Sequence, residues 1–189
     1  MKDIRSYIYE LLTIRVESEN DLPFSFAREY MPKSHVFVHY FQEENICYFL
    51  EQGIIEVNYS QLNRPHKIID FFTEGTFFGA YSSLLSNQPS DVEIIGLTDC
   101  QVLVLDWDEI RSLYSSSLLM NQIARVATEQ LYLKRIEREK SFLMQTAKER
   151  YQSLLDNNPE LIQQLSSKKI AKYLGIHPES LSRIRASIY

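Results

Sequence analysis

The feature that most constrains this 189-residue chain is a change of hydrophobic period near residue 106. Before it, "HVFVHYF", "NICYFLEQGIIEVNYS", "HKIIDFFTEGTFFG" and "DVEIIGLTDCQVLVLDW" are β-branched and aromatic runs of strand length. Turn residues separate them at Gln52-Gly53, Asn63-Arg64-Pro65, Glu74-Gly75 and Thr98-Asp99. "LEQGIIEV" reads as two strands joined at a Gly turn. Short strands at near-even spacing predict a small antiparallel barrel or roll over residues 24 to 106. "YSSLLSNQPS" interrupts it with a short helix-like insert.

After the change of period the chain is helical. Asp106 or Asp108 is placed to cap "DWDEIRSLY". A long helix is expected from about residue 116 to 144. Leu119, Ile123, Val126, Gln130 and Leu133 form a two-heptad seam on it, predicting self-association as a homodimer. "TAKE", Thr146 to Glu149, is a capping box that starts a new helix to about Leu155, and "DNNP" ends it. Ahead of the roll, Ile4, Tyr7, Ile8, Leu11 and Leu12 recur at helical spacing, so residues up to about 20 read as helix until "ENDLP" breaks it. The class is α+β, with a roll at 1–112, a dimerisation helix at 113–144 and a helical module at 145–189.

Charge divides along the same line. Residues 1–112 hold 8 Lys and Arg against 18 Asp and Glu; residues 113–189 hold 12 against 7. An acidic front and a basic back suit two modules with different partners. No apolar run reaches the roughly 20 residues that cross a bilayer. The first residues, "MKDIRSYIYELLTIR", lack a signal peptide's apolar stretch, so the expected location is cytoplasmic, without a membrane partner. Cys47 and Cys100 stand far apart and suggest neither a disulfide framework nor a metal site. His35 and His39 share a strand face about 13 Å apart, too far for one metal ion. No Ser-His-Asp arrangement, phosphate loop or dinucleotide turn is present, so no enzyme and no metal are expected.

The last 24 residues carry five basic groups against one acid, Glu179. In "KKIAKYLGIHPESLSRIR" a first helix, Ser167 to Leu174, takes Ser166 or Ser167 as cap and buries Ile170, Ala171 and Leu174. Gly175 supplies a turn with positive φ. His177 stands at the next N-cap and Pro178 at the first helical position. The second helix buries Leu181, Ile184 and Ile188. This is the layout of a DNA-binding helix-turn-helix. Its outward side offers Glu179, Ser180, Ser182, Arg183 and Arg185 to base edges, with His177 at its start. Ser166, Ser167, Lys168, Lys169 and Lys172 lie where phosphates would pass.

These residues resemble the CRP/FNR superfamily of bacterial transcription regulators. "IAKYLGIHPESLSRIR" is similar to the family's recognition motif in the form common among Bacteroidetes-type members. "FFTEGTFFGAYSSLLSNQPSDVEIIGLTDCQVLVLDWDEIRSL" resembles its phosphate-binding cassette and the strands after it. The resemblance implies a cyclic-nucleotide-binding-like double-stranded β-helix roll, a dimerisation helix and a winged helix, here with the wing absent or truncated. It implies base contacts from Glu179 and Arg183, backbone contacts from Ser166 and Ser167, double-stranded DNA as partner, and RNA polymerase as a further partner of such regulators. Pro178 departs from the Arg of cyclic-AMP-responsive members.

The cassette is degenerate. Nucleotide-binding members hold Gly-Glu and Arg-Ser pairs; here Gly79-Ala80 and Ser90-Asp91 stand in their place. No Lys or Arg occurs between Lys67 and Arg111, while eight Asp or Glu do, so the field opposes a cyclic phosphate. Gly79, Ala80, Tyr81, Ser82, Ser90 and Asp91 remain a candidate pocket for a different ligand. The alternative is no ligand, with Tyr81 and Leu84 filling the space. No cofactor is expected, and the sequence does not name an effector. The competing functional reading is a small-molecule-binding or interaction protein whose tail does not read DNA.

Overall fold

The computed structural model describes residues 2–59 and 66–188. The turn expected at Asn63–Pro65 lies outside the described residues. Helix α1 (Ile4–Leu12) leads into strands β1 (Ala27–Met31), β2 (Val36–Val38), β3 (Ile46–Gln52), β4 (Ile54–Tyr59), β5 (Lys67–Thr73) and β6 (Thr76–Phe78). Helix α2 (Tyr81–Ser86) interrupts before β7 (Val92–Gly96) and β8 (Cys100–Asp106). The helical phase is α3 (Trp107–Leu113), α4 (Leu118–Met144), α5 (Ala147–Asn157), α6 (Pro159–Gln164), α7 (Ser167–Leu174) and α8 (Pro178–Ala186).

The strands form two antiparallel four-stranded sheets, ordered β1-β8-β3-β6 and β2-β7-β4-β5. Strand alternation sends one set of side chains between the sheets. Leu50 and Val102 point inward with Phe37, Ile55, Phe72, Phe78 and Ile94, making the roll's core. Gly53 makes the β3–β4 turn possible. Its φ is +116°, and a Cβ there would lie 2.8 Å from both Asp99 O and Cys100 Sγ.

The opposite faces of the two sheets carry different helices. Phe49, Leu103 and Leu105 face outward from the first sheet and bury Ile4, Ile8, Trp107, Ile110, Met120 and Ile123 from α1, α3 and the start of α4. Ile54, Ile68 and Phe71 face outward from the second sheet and join Tyr151, Leu154, Leu161, Leu165, Ile170 and Leu181 of α5 to α8. The terminal hairpin is therefore docked on the roll through one continuous apolar cluster. This cluster cuts across the partition expected at residue 145.

Three local expectations change. The first helix ends at Leu12 rather than near residue 20, because Thr13 takes a left-handed φ of 59°. Ser18 then caps a separate 3-10 turn at Glu19–Asp21. The run "HVFVHYF" pairs only over Val36–Val38, and Phe41 breaks it with φ 63°. "DNNP" ends α5 at Asn157 as expected, but Pro159 opens a further helix, α6, that the sequence reading does not place, from its first turn, where a missing N–H costs nothing.

Candidate nucleic-acid interface and ligand cassette

The hairpin of α7 and α8 is built by local rules. Ser166 Oγ accepts from the Lys169 amide at 3.3 Å and caps α7. Gly175 ends it in the left-handed region at φ 71°, and the Ile176 amide reaches back to Ala171 O at 3.0 Å. Space enforces the glycine as well, since a Cβ would come within 3.0 Å of the Phe142 ring. Pro178 occupies the first turn of α8; His177 precedes it and makes no side-chain capping bond.

Leu181 anchors α8 at 1% exposure, while Ile184 and Ile188 are half-buried beside it. Ile188 lies beyond the end of α8 at Ala186. Glu179, Ser180, Ser182 and Arg183 are exposed on the other side, and His177 Nδ1 stands 4.0 Å from the Glu179 carboxylate. Ser166, Ser167 and Lys168 are exposed at the start of α7.

Two of the expected contact residues are engaged inside the molecule. Lys169 Nζ is ion-paired to Glu56, a buried carboxylate of β4. Arg185 turns back, donating from Nε to Tyr151 Oη at 3.0 Å and from Nη1 to Ser167 Oγ at 2.8 Å. Arg185 thus braces α8 against α5 and α7 and is not presented with Arg183. No local pattern assigns a partner to Glu56. Its only signal was a charge between strand residues that bury on both faces, "IIEVN", and a buried carboxylate requires a cation.

The long helix also departs from the expected seam. Ile123 is 1% exposed within its own chain's second apolar cluster, so it has no surface left for a partner. Leu119 and Val126 are half-buried, and Gln130 and Leu133 are exposed. The reason is geometric. A straight helix drifts about 20° per heptad relative to a 3.5-residue repeat, so one sequence stripe serves two surfaces. Its first turns close over α1 and the roll. Farther along, Tyr132, Leu133, Leu143 and Met144 are exposed.

In the cassette, Ala80 and Ser90 are each 1% exposed. The Ser90 hydroxyl is spent on Val92, accepting from its amide at 3.2 Å and donating to its carbonyl at 2.9 Å. Gly79 is half-buried; Ser82 and Asp91 are exposed. Tyr81 and Leu84 do not fill the roll. Both belong to the outer cluster, where Tyr81 packs edge-on to Trp107 and its hydroxyl meets Thr128 Oγ1 of α4 at 3.2 Å. The interior is filled instead by Phe37, Tyr48 and Phe78, with ring centroids 5.0 to 5.3 Å apart. The six candidate pocket residues thus divide between core and surface.

A second cationic grouping lies where α4 meets the hairpin. Lys134 Nζ pairs with buried Asp70 of β5 at 2.9 Å. Arg138 donates to Tyr173 O at 3.1 Å, with its guanidinium carbon 4.0 Å from the Tyr173 ring centroid. Phe142 is flanked by the guanidinium groups of Arg138 and Arg150, at 4.9 and 4.8 Å. Burial pulls the Arg138 pKa down from its ordinary value.

Comparison with known proteins follows this geometry. Residues 28–117 match the pattern of the cyclic nucleotide-binding domain. No curated protein matches the chain. Among solved structures, FixK2 from Bradyrhizobium japonicum is 16% identical with a TM-score of 0.73, over 87% of this chain and 84% of that one. The c-di-GMP-responsive global regulator CLP of Xanthomonas campestris is 15% identical with a TM-score of 0.68, over 86% of each chain. The catabolite activator protein of Thermus thermophilus is 19% identical with a TM-score of 0.52, over 97% of this chain and 86% of that one. The antiparallel roll, followed by a long helix and further helices, has the fold of CRP/FNR-type regulators, and its residues 28–117 are the part similar to the cyclic nucleotide-binding domain.

Proposed function

We propose that this protein is a sequence-specific, double-stranded-DNA-binding transcription regulator that acts as a homodimer and does not respond to cyclic AMP. One observation carries the reading: α8 is anchored by buried Leu181 behind a glycine turn, and it presents Glu179, Ser180, Ser182 and Arg183 to solvent on its free side. Arg takes guanine bidentately and Glu accepts from the cytosine amino group, so this face has the chemistry to read a major groove. Lys168, Ser166 and Ser167 flank it with phosphate-binding groups. The exposed Leu133, Leu143 and Met144 on α4 supply apolar surface for a second copy. Duplex DNA then meets two reading helices at successive half-sites.

Independence from cyclic nucleotides rests on the cassette. A cyclic phosphate would find no cation there, an exposed Asp91, and aromatic rings occupying the roll. The ion pair of Lys169 with Glu56 adds a condition: that lysine reaches a phosphate only after leaving the roll.

Selection of genomic fragments on the purified protein tests the proposal. Recovered sites are expected to be pseudo-palindromic. Sequence-indifferent binding at every salt concentration would favour the competing reading, an interaction protein with a docked helical tail.

A further inference from the structure

The cationic grouping beside the hairpin encloses a cleft of about 290 Å³, whose lining includes Arg135, Arg138, Phe142, Arg150 and Tyr173. Its charges do not cancel. Asp70 is paired with Lys134, and Glu137 with Lys140 at 3.6 Å. None of the ion pairs among the described residues uses Arg135, Arg138 or Arg150. Arg138 donates to the main-chain oxygens of Ile68 and Tyr173 and also hydrogen-bonds the Tyr173 side chain, while Arg150 donates to the main-chain oxygens of Gln145 and Leu174. Arg150 Nε and Gln145 Oε1 are buried without a hydrogen-bond partner. Three guanidinium groups that crowd one half-buried cleft repel one another, and an anion between them relieves that repulsion.

We propose that this cleft is a binding site for a compact, multiply charged anion of the phosphate class. The guanidinium fork matches phosphate oxygens bidentately, and the volume suits a diphosphate or small phosphorylated metabolite rather than a dinucleotide. Burial above all, with a smaller contribution from neighbouring Arg135, lowers the pKa of Arg138 against the opposing pull of Tyr173 and Asp70, and a bound anion adds to that opposing pull. The site differs from the roll's cassette in position and in charge. It is formed by α4, α5, α7 and β5, so occupancy ties the long helix to the hairpin and holds the hairpin on the roll. A metabolite anion thereby stabilises one orientation of the hairpin.

Calorimetric titration of the full chain with inorganic pyrophosphate, at constant ionic strength set by sodium chloride, tests this without DNA. Saturable binding of one anion per chain is expected, with a melting-temperature rise of about 5–10 °C at 100 times the dissociation constant. No ion pair or hydrogen bond of Arg135 is found among the described residues, so Arg135→Gln is expected to leave the ligand-free melting temperature unchanged or slightly raised, by removing one of three repelling charges, and to weaken binding at least about tenfold. Heat no larger than that of added sodium chloride overturns the proposal, as does undiminished binding to Arg135→Gln. Binding lost in Lys168→Ala but kept in Arg135→Gln also overturns it, because the anion would then sit on the DNA-facing hairpin.

Discussion

The ion pair between Lys169 and Glu56 gives a quantitative test of how the hairpin is held. The Glu56 side chain is 3% exposed and that of Lys169 is 36% exposed, so the two partners are not equivalent. Replacing Lys169 by Met leaves a buried carboxylate whose remaining contact is the Asn58 amide at 3.0 Å. A buried charge stripped of its partner costs about 3–5 kcal/mol when fully enclosed. Water reaches the Lys169 side of this pair, so we expect the cost to fall to about 1–3 kcal/mol, or a melting-temperature loss of roughly 2–10 °C for a chain this long. Glu56→Gln leaves the ammonium free to turn outward into water, and we expect a loss of only about 1 kcal/mol or less. The double variant should be less destabilised than the two single losses added together, since the orphaned charge is gone. Thermal and denaturant unfolding of the four proteins completes the cycle. The functional readout runs the other way: Glu56→Gln releases Lys169 and is expected to raise DNA affinity, while Lys169→Met lowers it. Equal losses from the two single substitutions, with additive behaviour in the double, would refute the asymmetry on which this reasoning stands.

Other outcomes follow from the same geometry. Arg183→Ala should relax base preference at one position per half-site, whereas Lys168→Ala should weaken all duplexes alike and flatten the salt dependence; competition binding across salt concentrations separates them. Gly175→Ala should destabilise the hairpin by about 1–2 kcal/mol, read by denaturant unfolding, because φ is 71° and the Phe142 ring stands in the way of a Cβ. Burial pushes the Cys47 thiol up to about 12 and raises Cys100 as well, so thiol reagents at pH 8 should label half-buried Cys47 slowly and fully buried Cys100 only as fast as the chain opens. Hydrogen bonds from Thr146 hold Glu149 below its usual carboxylate range. Its contribution is present above the unfolded carboxylate pKa and lost as pH falls through the folded one, so Glu149→Gln should flatten the stability curve between about pH 5 and 3.

The sequence by itself determined the change from strands to helices and many of the local ends, but not β1 or α6. β-branched and aromatic runs between turn residues marked β2 to β8, the capping box at Thr146 started α5, and Gly175 with Pro178 set the hairpin turn, because these signals act through neighbours in the chain. It also determined that the cassette lacks a cation, since charge can be counted without knowing where a side chain points. Only the tertiary structure decided what each charge and each apolar stripe faces. It gave Lys169 to Glu56 and Arg185 to Tyr151, turned Ile123 into the chain's own core, and filled the roll with Phe37, Tyr48 and Phe78 rather than Tyr81 and Leu84. It also gathered Arg135, Arg138 and Arg150 around one cleft from two helices. Such pairings join residues up to 113 positions apart, and no local period encodes them. They are fixed when two sheets and their helices compete to cover the same apolar faces, and the side chains left at the edges of those contacts take whichever partner the packing brings near.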